Sequence, residues 1–189
     1  MSALLPPRAV LRAQALAQEQ GFTASSLPEV GRLLAVLAAA LPGGRIAEIG
    51  SGCGVGAAWL ASGMPPDATL VTIDSDPGRA EAVRLLFADD PRVRVLRGDW
   101  RALAEHGPFQ LVFADGGRAK AEQPDTVVDL LAPGGMAVLD DLTPEEHWPE
   151  SWRGRPDATR DFWLHSPRLT STEICVTECH AVILATRRV

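Results

Sequence analysis

The chain has 189 residues, of which 46% are hydrophobic and 22% charged, with a net charge of −6. This length and composition predict a single domain over residues 1–189, and no apolar run approaches the roughly 18 residues that a membrane span needs. The negative charge argues against a nucleic-acid partner, because proteins that bind phosphate backbones do so through clustered Lys and Arg.

The N-terminal sequence and the cysteines indicate a compartment. The start of the chain lacks a long apolar core followed by a small-residue cleavage site, so no secretory signal is predicted. The three cysteines are an odd number in a chain large enough to fold without disulfides, which favours reduced thiols. We therefore expect a cytoplasmic protein.

The predicted elements alternate between helix and strand. A helical segment over residues 1–25 precedes a core over residues 26–189. The core begins with a capping-box spacing of Ser26 and Glu29, with Pro28 in the first turn, and then apolar residues at helical spacing. Five short apolar runs are predicted as buried strands, at 46–49, 70–73, 93–96, 111–114 and 136–139. Helical stretches lie between them, at 55–63, 77–88, 100–105 and 124–131.

This alternation predicts an α/β fold with a parallel sheet, in which ligands bind beyond the carboxyl ends of the strands. Two further strand-like runs, 171–177 and 181–187, are separated by only a few residues, as in an antiparallel hairpin. The sequence thus predicts a seven-stranded, mostly parallel sheet that ends in a C-terminal antiparallel hairpin.

A glycine-rich turn follows the first predicted strand. Gly50, Ser51, Gly52 and Gly54 allow the backbone to bend sharply and a ligand to approach it closely. The glycines alone also fit a ligand-free turn or a dinucleotide site, since residues 52–57 satisfy that fingerprint with Ala in last place. Glu48 favours a cationic ligand, because its carboxylate would repel a pyrophosphate but can hold the ammonium of S-adenosylmethionine, directly or through water.

Further candidate cofactor residues follow the next two strands. Asp74 lies where a carboxylate can accept both hydroxyls of a ribose. Asp99 could accept an adenine amino group and Trp100 could stack on the ring. An N-cap of the next helix is an equally good explanation of Asp99.

Carboxylates at four successive strand ends resemble the pattern of class I S-adenosylmethionine-dependent methyltransferases: Glu48, Asp74, Asp99 and Asp115. The resemblance runs from residue 26 to the end and includes residues 130–141 and the closing hairpin. It implies a Rossmann-like methyltransferase fold, with helices on both faces of the sheet and S-adenosylmethionine as the cofactor. It also suggests an N-terminal segment that covers the cofactor or contacts a second subunit in a homodimer.

Within this family the spacing is most similar to the small metal-dependent O-methyltransferases of the catechol and caffeoyl-CoA type. Their pattern has a metal-binding Asp after the fourth strand and an Asp-Asn pair after the fifth. The resemblance implies Asp115 and Asp140 as ligands, with Asp141 at the position of the Asn. Three oxygen ligands suit Mg²⁺, which would help a phenol or catechol hydroxyl to lose its proton. Without a metal, Asp115 would orient a ligand and the other two would cap the following segment.

The catalytic candidates are Asp115, Arg118 and Lys120. The family has a lysine as base at the position of Arg118, and arginine is not deprotonated in proteins, so Arg118 could only hold an anionic group of the acceptor. Lys120, the one lysine of the chain, could reach the acceptor hydroxyl if its loop is displaced, although we expect an exposed, solvated side chain. The identity of the base stays open.

Aromatic and thiol residues near the C-terminus offer further candidates. Trp148 and Trp152, in a Pro-rich loop, and Trp163 beyond it could form an aromatic acceptor slot or pack on the core. Cys175 and the pair Cys179-His180 are too far apart along a strand, at about 13 Å, to bind one tetrahedral ion. We expect a buried thiol and a hairpin turn there.

The sequence therefore predicts an S-adenosylmethionine-dependent methyltransferase that methylates a hydroxyl of a small, aromatic acceptor with the assistance of a divalent cation. The alternatives are an NAD(P)-dependent oxidoreductase and a methyltransferase-like protein that binds the cofactor without catalysis. NADH binding would distinguish the first alternative, and cofactor binding without turnover would distinguish the second.

Overall fold

The computed structural model describes residues 5–189 and contains one seven-stranded sheet in the order β3-β2-β1-β4-β5-β7-β6. The strands are β1 Gly44–Ile49, β2 Ala68–Asp74, β3 Val93–Arg97, β4 Phe109–Ala114, β5 Leu131–Leu142, β6 Leu169–Thr177 and β7 His180–Arg187. The first five are parallel, and β7 pairs antiparallel with both β5 and β6. The predicted mostly parallel sheet with a closing antiparallel hairpin is confirmed.

Helices cover both faces of this sheet. They are α1 Arg8–Glu19, α2 Pro28–Ala39, α3 Val55–Gly63, α4 Pro77–Leu86, α5 Gly117–Glu122, α6 Pro124–Leu130 and α7 Ala158–His165, with 3₁₀ turns at Trp100–Glu105 and Glu145–His147. None of the helices within residues 5–189 is long and apolar enough to cross a membrane.

Alternation along the strands divides the core into two layers. Ile46, for example, packs with residues of α1 to α4, whereas its neighbour Ala47 packs with residues of α5 to α7 on the opposite face. Successive side chains of a strand point to opposite faces, and strands buried on both faces are therefore apolar at nearly every position. Burial on both faces explains why the central strands correspond to continuous apolar runs in the sequence.

The start of the second helix differs from the prediction. The prediction of a capping box formed by Ser26 and Glu29 is wrong. Helix α2 begins at Pro28 with Leu27 as its N-cap, and no side chain caps it. The Ser26 hydroxyl instead donates to Asp115 Oδ2 at 3.4 Å, at the end of β4. Ser26 therefore makes a tertiary contact with Asp115 and does not cap the helix as its spacing from Glu29 predicted.

Candidate cofactor and cation site

The predicted glycine-rich turn joins β1 to α3. Gly50, Gly52 and Gly54 have φ angles of 94°, 51° and 83°, in the left-handed region that disfavours side chains. Gly54 serves as the N-cap of α3 in this conformation. The hydroxyl of Ser51 lies 2.6 Å from that of Thr72 on β2, which ties the turn to the neighbouring strand.

Glu48 lies beneath this turn and not in the open cavity beside it. Its side chain is 1% exposed and accepts hydrogen bonds from the Thr72 hydroxyl and the Ala57 backbone N–H. Burial raises the pKa of Glu48 well above its ordinary value, and the hydrogen bond from Thr72 opposes this. A contact of Glu48 with a cofactor ammonium stays a prediction.

A cavity of about 370 Å³ lies at the carboxyl ends of the parallel strands. Its lining includes Gly50, Asp74, Trp100 and Arg118, from four different strand ends or the segments that follow them. Ligands of doubly wound sheets bind at this position. With Asp99, which also lines it, four of the predicted cofactor residues border the same cavity as a predicted catalytic residue, Arg118.

Asp74 is held by a dense set of donors. Its carboxylate accepts from the backbone N–H groups of Gly52 at 3.0 Å and Asp76 at 2.9 Å, and from Arg79 Nη2 at 3.1 Å and Nε at 3.3 Å. A ribose that used both oxygens of Asp74 would take over the contacts of Arg79. The guanidinium of Arg79 also lies 5.8 Å from the ring centroid of Phe22, in the segment that covers the glycine turn.

Asp99 caps the 3₁₀ turn that begins at Trp100, which confirms the capping alternative. Its carboxylate accepts from the Arg101 backbone N–H at 2.9 Å and from Arg101 Nη1 at 2.7 Å. The side chain of Asp99 is exposed and lines the cavity, so the cap does not remove it from the site. Arg101 lies over the Trp100 ring at 5.1 Å from its centroid.

The segment before α2 adds residues that sequence reasoning missed. Phe22, Ser25 and Ser26 lie against Ser51 and Asp115 around a small niche next to the glycine turn. Ser25 Oγ is buried and has no hydrogen-bond partner within the described part of the chain. An unsatisfied buried hydroxyl is costly, so this atom is available for a polar group of a ligand. Only the polar composition of residues 23–26 could have signalled this.

Carboxylates gather where β4 and β5 end. Burial and then the negative charges of Asp140 and Asp141 raise the pKa of Asp115 to about 7, and Lys120 opposes this rise. Asp140 is almost fully buried, whereas the side chain of Asp141 is 62% exposed. Within residues 5–189 the atoms close enough to hold one ion belong to Asp140, Asp141 and His180, so Asp115 as a ligand of the same ion stays a prediction.

Lys120, and not Arg118, is the basic residue that faces this cluster. The expectation of a solvated Lys120 is wrong, because the residue is 6% exposed and its Nζ donates to the backbone carbonyl of Asp140. Its Nζ is also 3.9 Å from Asp141 Oδ2. Trp163 Nε1 donates to the Lys120 carbonyl at 2.9 Å, which fixes α5 in this position. The side chain of Arg118 is 88% exposed and pairs with Glu122 at 3.2 Å.

His180 is a further member of the cluster. Its Nε2 lies 2.7 Å from Asp140 Oδ1, across the pairing of β7 with β5. Asp140, Asp141 and His180 each offer one atom such that all three atoms lie within 4.8 Å of one another. The register of β5 and β7 shifts between Leu139 and Leu142, and Asp141 has a φ of 61°. At this irregularity the Asp141 backbone N–H donates to Asp140 Oδ1 at 2.9 Å.

The tryptophans and cysteines singled out near the C-terminus lie in different parts of the structure. The prediction of a buried thiol at the hairpin is wrong, because Cys175 and Cys179 are both exposed. Trp163 is fully buried and packs in the core. Trp148 and Trp152 stack edge to face at 6.4 Å beside a cleft of about 260 Å³ in the loop after β5.

A family model described as a methyltransferase domain matches residues 47–142, which is more than half of the chain. The chain belongs to this methyltransferase family. The matched residues run from the glycine turn through Asp74, Asp99 and Asp115 to the Asp140-Asp141 pair. The family assignment thus covers the whole strand-end site except the residues before β1 and His180.

The methyltransferase resembles curated mycobacterial proteins. A relative from Mycobacterium avium, named provisionally as an O-methyltransferase, is 38% identical over 59% of this chain and 54% of its own length. A Mycobacterium tuberculosis relative with the same provisional name is 36% identical over the same shares. The chain spans about half the length of the curated relatives it matches.

Solved structures establish the fold. TomG from Streptomyces achromogenes, an O-methyltransferase in complex with S-adenosylmethionine, gives a TM-score of 0.82 at 24% identity, covering 100% of this chain and 93% of TomG. An O-methyltransferase from Bacillus cereus in complex with S-adenosylhomocysteine gives 0.83 at 18% identity, covering 99% and 94%. The predicted Rossmann-like methyltransferase fold is confirmed.

Proposed function

We propose that this methyltransferase uses S-adenosylmethionine to methylate a hydroxyl of a small aromatic acceptor, with a divalent cation at Asp115, Asp140 and Asp141. One observation carries the proposal: the cofactor candidates and the carboxylate cluster occupy adjacent halves of one sheet edge. Asp74 and Trp100 lie at the ends of β2 and β3, and the three carboxylates lie at the ends of β4 and β5, with β1 between the two sets. Bound groups at the two halves would adjoin each other.

The cofactor half has the groups that an adenosyl ligand needs. Asp74 can accept ribose hydroxyls in place of the Arg79 contacts, and Trp100 offers a ring face for a purine. Ser25 Oγ, which lacks a partner within residues 5–189, can bond to a polar group at the other end of the ligand. The complexes of TomG and the Bacillus cereus enzyme support S-adenosylmethionine as this ligand.

The reacting half fits a divalent cation. Burial and then the negative charges of Asp140 and Asp141 raise the pKa of Asp115 to about 7, and the nearby ammonium of Lys120 opposes this rise. Oxygen donors of this kind suit a hard cation, which would acidify an acceptor hydroxyl while S-adenosylmethionine supplies the methyl group.

Lys120 is the proposed acid-base group, a role that the sequence leaves open. Its buried ammonium faces the cluster, where it can stabilise negative charge on an acceptor oxygen or exchange a proton with it. Arg118 is exposed at the cavity wall, where it can pair with an anionic group of the acceptor. The cleft beside Trp148 and Trp152 supports an aromatic acceptor.

Calorimetric titration with S-adenosylhomocysteine, with and without Mg²⁺ and alongside NADH, tests the cofactor. We expect binding of S-adenosylhomocysteine that is lost in Asp74→Ala and retained in Asp161→Ala, an exposed control on α7. Mass spectrometry of a catechol panel then tests turnover. NADH binding without a response to S-adenosylhomocysteine would contradict the proposal, and cofactor binding without any methylated product would favour the non-catalytic alternative.

The cytoplasmic location and the homodimer remain predictions. Free thiols at Cys53, Cys175 and Cys179 support a reducing compartment. Light scattering of the purified protein tests the oligomeric state, and a monomer at all concentrations would contradict the homodimer.

A further inference from the structure

An imidazole lies among the carboxylates of the proposed cation site. His180 is the first residue of β7, and the antiparallel pairing of β7 with β5 brings it beside Asp140. Its side chain is 21% exposed, so it lines the cluster with one edge and meets solvent with the other. The histidine lies outside the stretch that the family model matches, and it is 39 residues beyond Asp141 in the sequence.

The separations within this group fit ligands of one metal ion. First-row divalent ions bind imidazole nitrogen and carboxylate oxygen at about 2.0–2.2 Å, so neighbouring ligand atoms lie about 3 Å apart and opposite ones about 4 Å. His180 Nε2 and Asp140 Oδ1 are 2.7 Å apart, and one atom from each of Asp140, Asp141 and His180 falls within a span of 4.8 Å. Small side-chain shifts would bring all three atoms onto one ion.

We propose that His180 is a direct ligand of the cation bound by Asp140 and Asp141, and that the site therefore prefers a transition-metal ion such as Mn²⁺ to Mg²⁺. This inference rests on the proposed function for the presence of a cation. Its physical basis is donor type. Mg²⁺ prefers oxygen ligands and keeps several waters, whereas imidazole nitrogen binds first-row transition metals more strongly.

The alternative is that His180 only donates a hydrogen bond to a ligating Asp140. Histidine and carboxylate partners of metal ligands are common, so the 2.7 Å contact alone does not separate the two roles. They differ in one measurable respect. A coordinated imidazole couples its nitrogen spin directly to a paramagnetic metal, and an imidazole held outside the ligand set gives only weak coupling.

Electron spin-echo envelope modulation of the Mn²⁺-loaded 189-residue protein with S-adenosylhomocysteine tests this assignment. We expect modulation from a directly bound nitrogen in the wild type and in His165→Ala, an exposed histidine control on α7. The modulation should be absent in His180→Ala. In parallel, titration of the free Mn²⁺ resonance should show at least about tenfold weaker binding in His180→Ala, with Mg²⁺ affinity changed less than about threefold.

The outcomes separate this inference from the proposed function. Mn²⁺ binding without nitrogen modulation in the wild type would overturn the ligand assignment and leave the methyltransferase proposal intact. Equal loss of Mn²⁺ and Mg²⁺ affinity in His180→Ala would overturn the metal preference. No cation binding while S-adenosylhomocysteine still binds would overturn this inference and the cation part of the proposed function. No binding of S-adenosylhomocysteine would overturn the proposed function itself.

Discussion

Substitution of Gly56 by alanine tests whether Glu48 is packed as the structure shows. Gly56 is the second residue of α3, and a Cβ there would lie 2.3 Å from Glu48 Oε1 and 2.8 Å from Phe113 Cε1. Glu48 and Phe113 are almost fully buried, so neither can move into solvent. Something in the core must therefore shift.

The magnitude follows from three contributions. Overpacking of a core costs about 1–3 kcal/mol. Displacement of Glu48 from Thr72 leaves a buried carboxyl unsatisfied, at about 1–3 kcal/mol. Alanine gains up to about 1 kcal/mol over glycine in a helix. We expect Gly56→Ala to lower the free energy of unfolding by about 1–5 kcal/mol and the Tm by roughly 2–20 °C.

Gly78 provides a matched control, because it is likewise the second residue of a helix, α4. A Cβ there would meet only Asp76 Oδ1, at 3.2 Å, and that carboxylate is half-exposed. Urea denaturation of Gly78→Ala should show a change within about 1 kcal/mol of zero. The cost of Gly56→Ala should shrink in a Glu48→Ala background, where the methyl group has room. Equal stability of the two glycine variants would refute the packing argument.

Three further predictions concern charged side chains. Lys120→Met should lower kcat by about 10²-fold or more and leave the affinity for S-adenosylhomocysteine unchanged. Arg118→Ala should instead raise the KM of anionic acceptors and leave the KM of other acceptors unchanged. Steady-state kinetics that show the reverse pattern would assign the catalytic role to Arg118. Burial raises the pKa of Glu48, so the folded protein keeps this proton to higher pH than the unfolded chain does. The wild type should therefore lose stability relative to Glu48→Gln as pH rises above the ordinary value of 4.5, and a constant difference in urea denaturation between pH 5 and 8 would contradict this. Arg160→Leu should lower the free energy of unfolding, measured by urea denaturation, by about 3–5 kcal/mol, because the nearly buried guanidinium pairs with Glu173 at 2.8 Å. A decrease below about 1 kcal/mol would mean that the pair is solvated.

Local patterns in the sequence sufficed for the sheet and for the position of the candidate cofactor residues at strand ends. Buried parallel strands are apolar at nearly every position, and each ends at a carboxylate or glycine on the same sheet edge. The helix over residues 55–63 was predicted to the residue, since a glycine turn opens it and Gly63 closes it. Ser26 was assigned wrongly, because a local spacing rule cannot register a competing partner, Asp115, 89 positions away.

The reacting half depends on long-range contacts that a linear pattern does not contain. Burial of Lys120 requires Trp163, from α7, to hold the Lys120 carbonyl across 43 positions. The family spacing drew attention to Arg118, but α5 directs that side chain to solvent. The distance along one strand excludes a single metal site made of His180 and the two cysteines. It says nothing about Asp140, the actual partner of His180, because Asp140 belongs to the adjacent strand.

The distribution of charge along the sheet edge gives a physical reason for the position of the proposed cation. In the cofactor half Asp74 pairs with Arg79 at 3.1 Å and Asp99 with Arg101 at 2.7 Å, whereas the buried Glu48 accepts a hydrogen bond from Thr72. In the reacting half Asp115, Asp140 and Asp141 lie near one ammonium, that of Lys120, and Asp140 also contacts the imidazole of His180. The uncompensated negative charge therefore lies at the ends of β4 and β5. A divalent cation gains most there, whereas at Asp74 the guanidinium of Arg79 already neutralises the carboxylate.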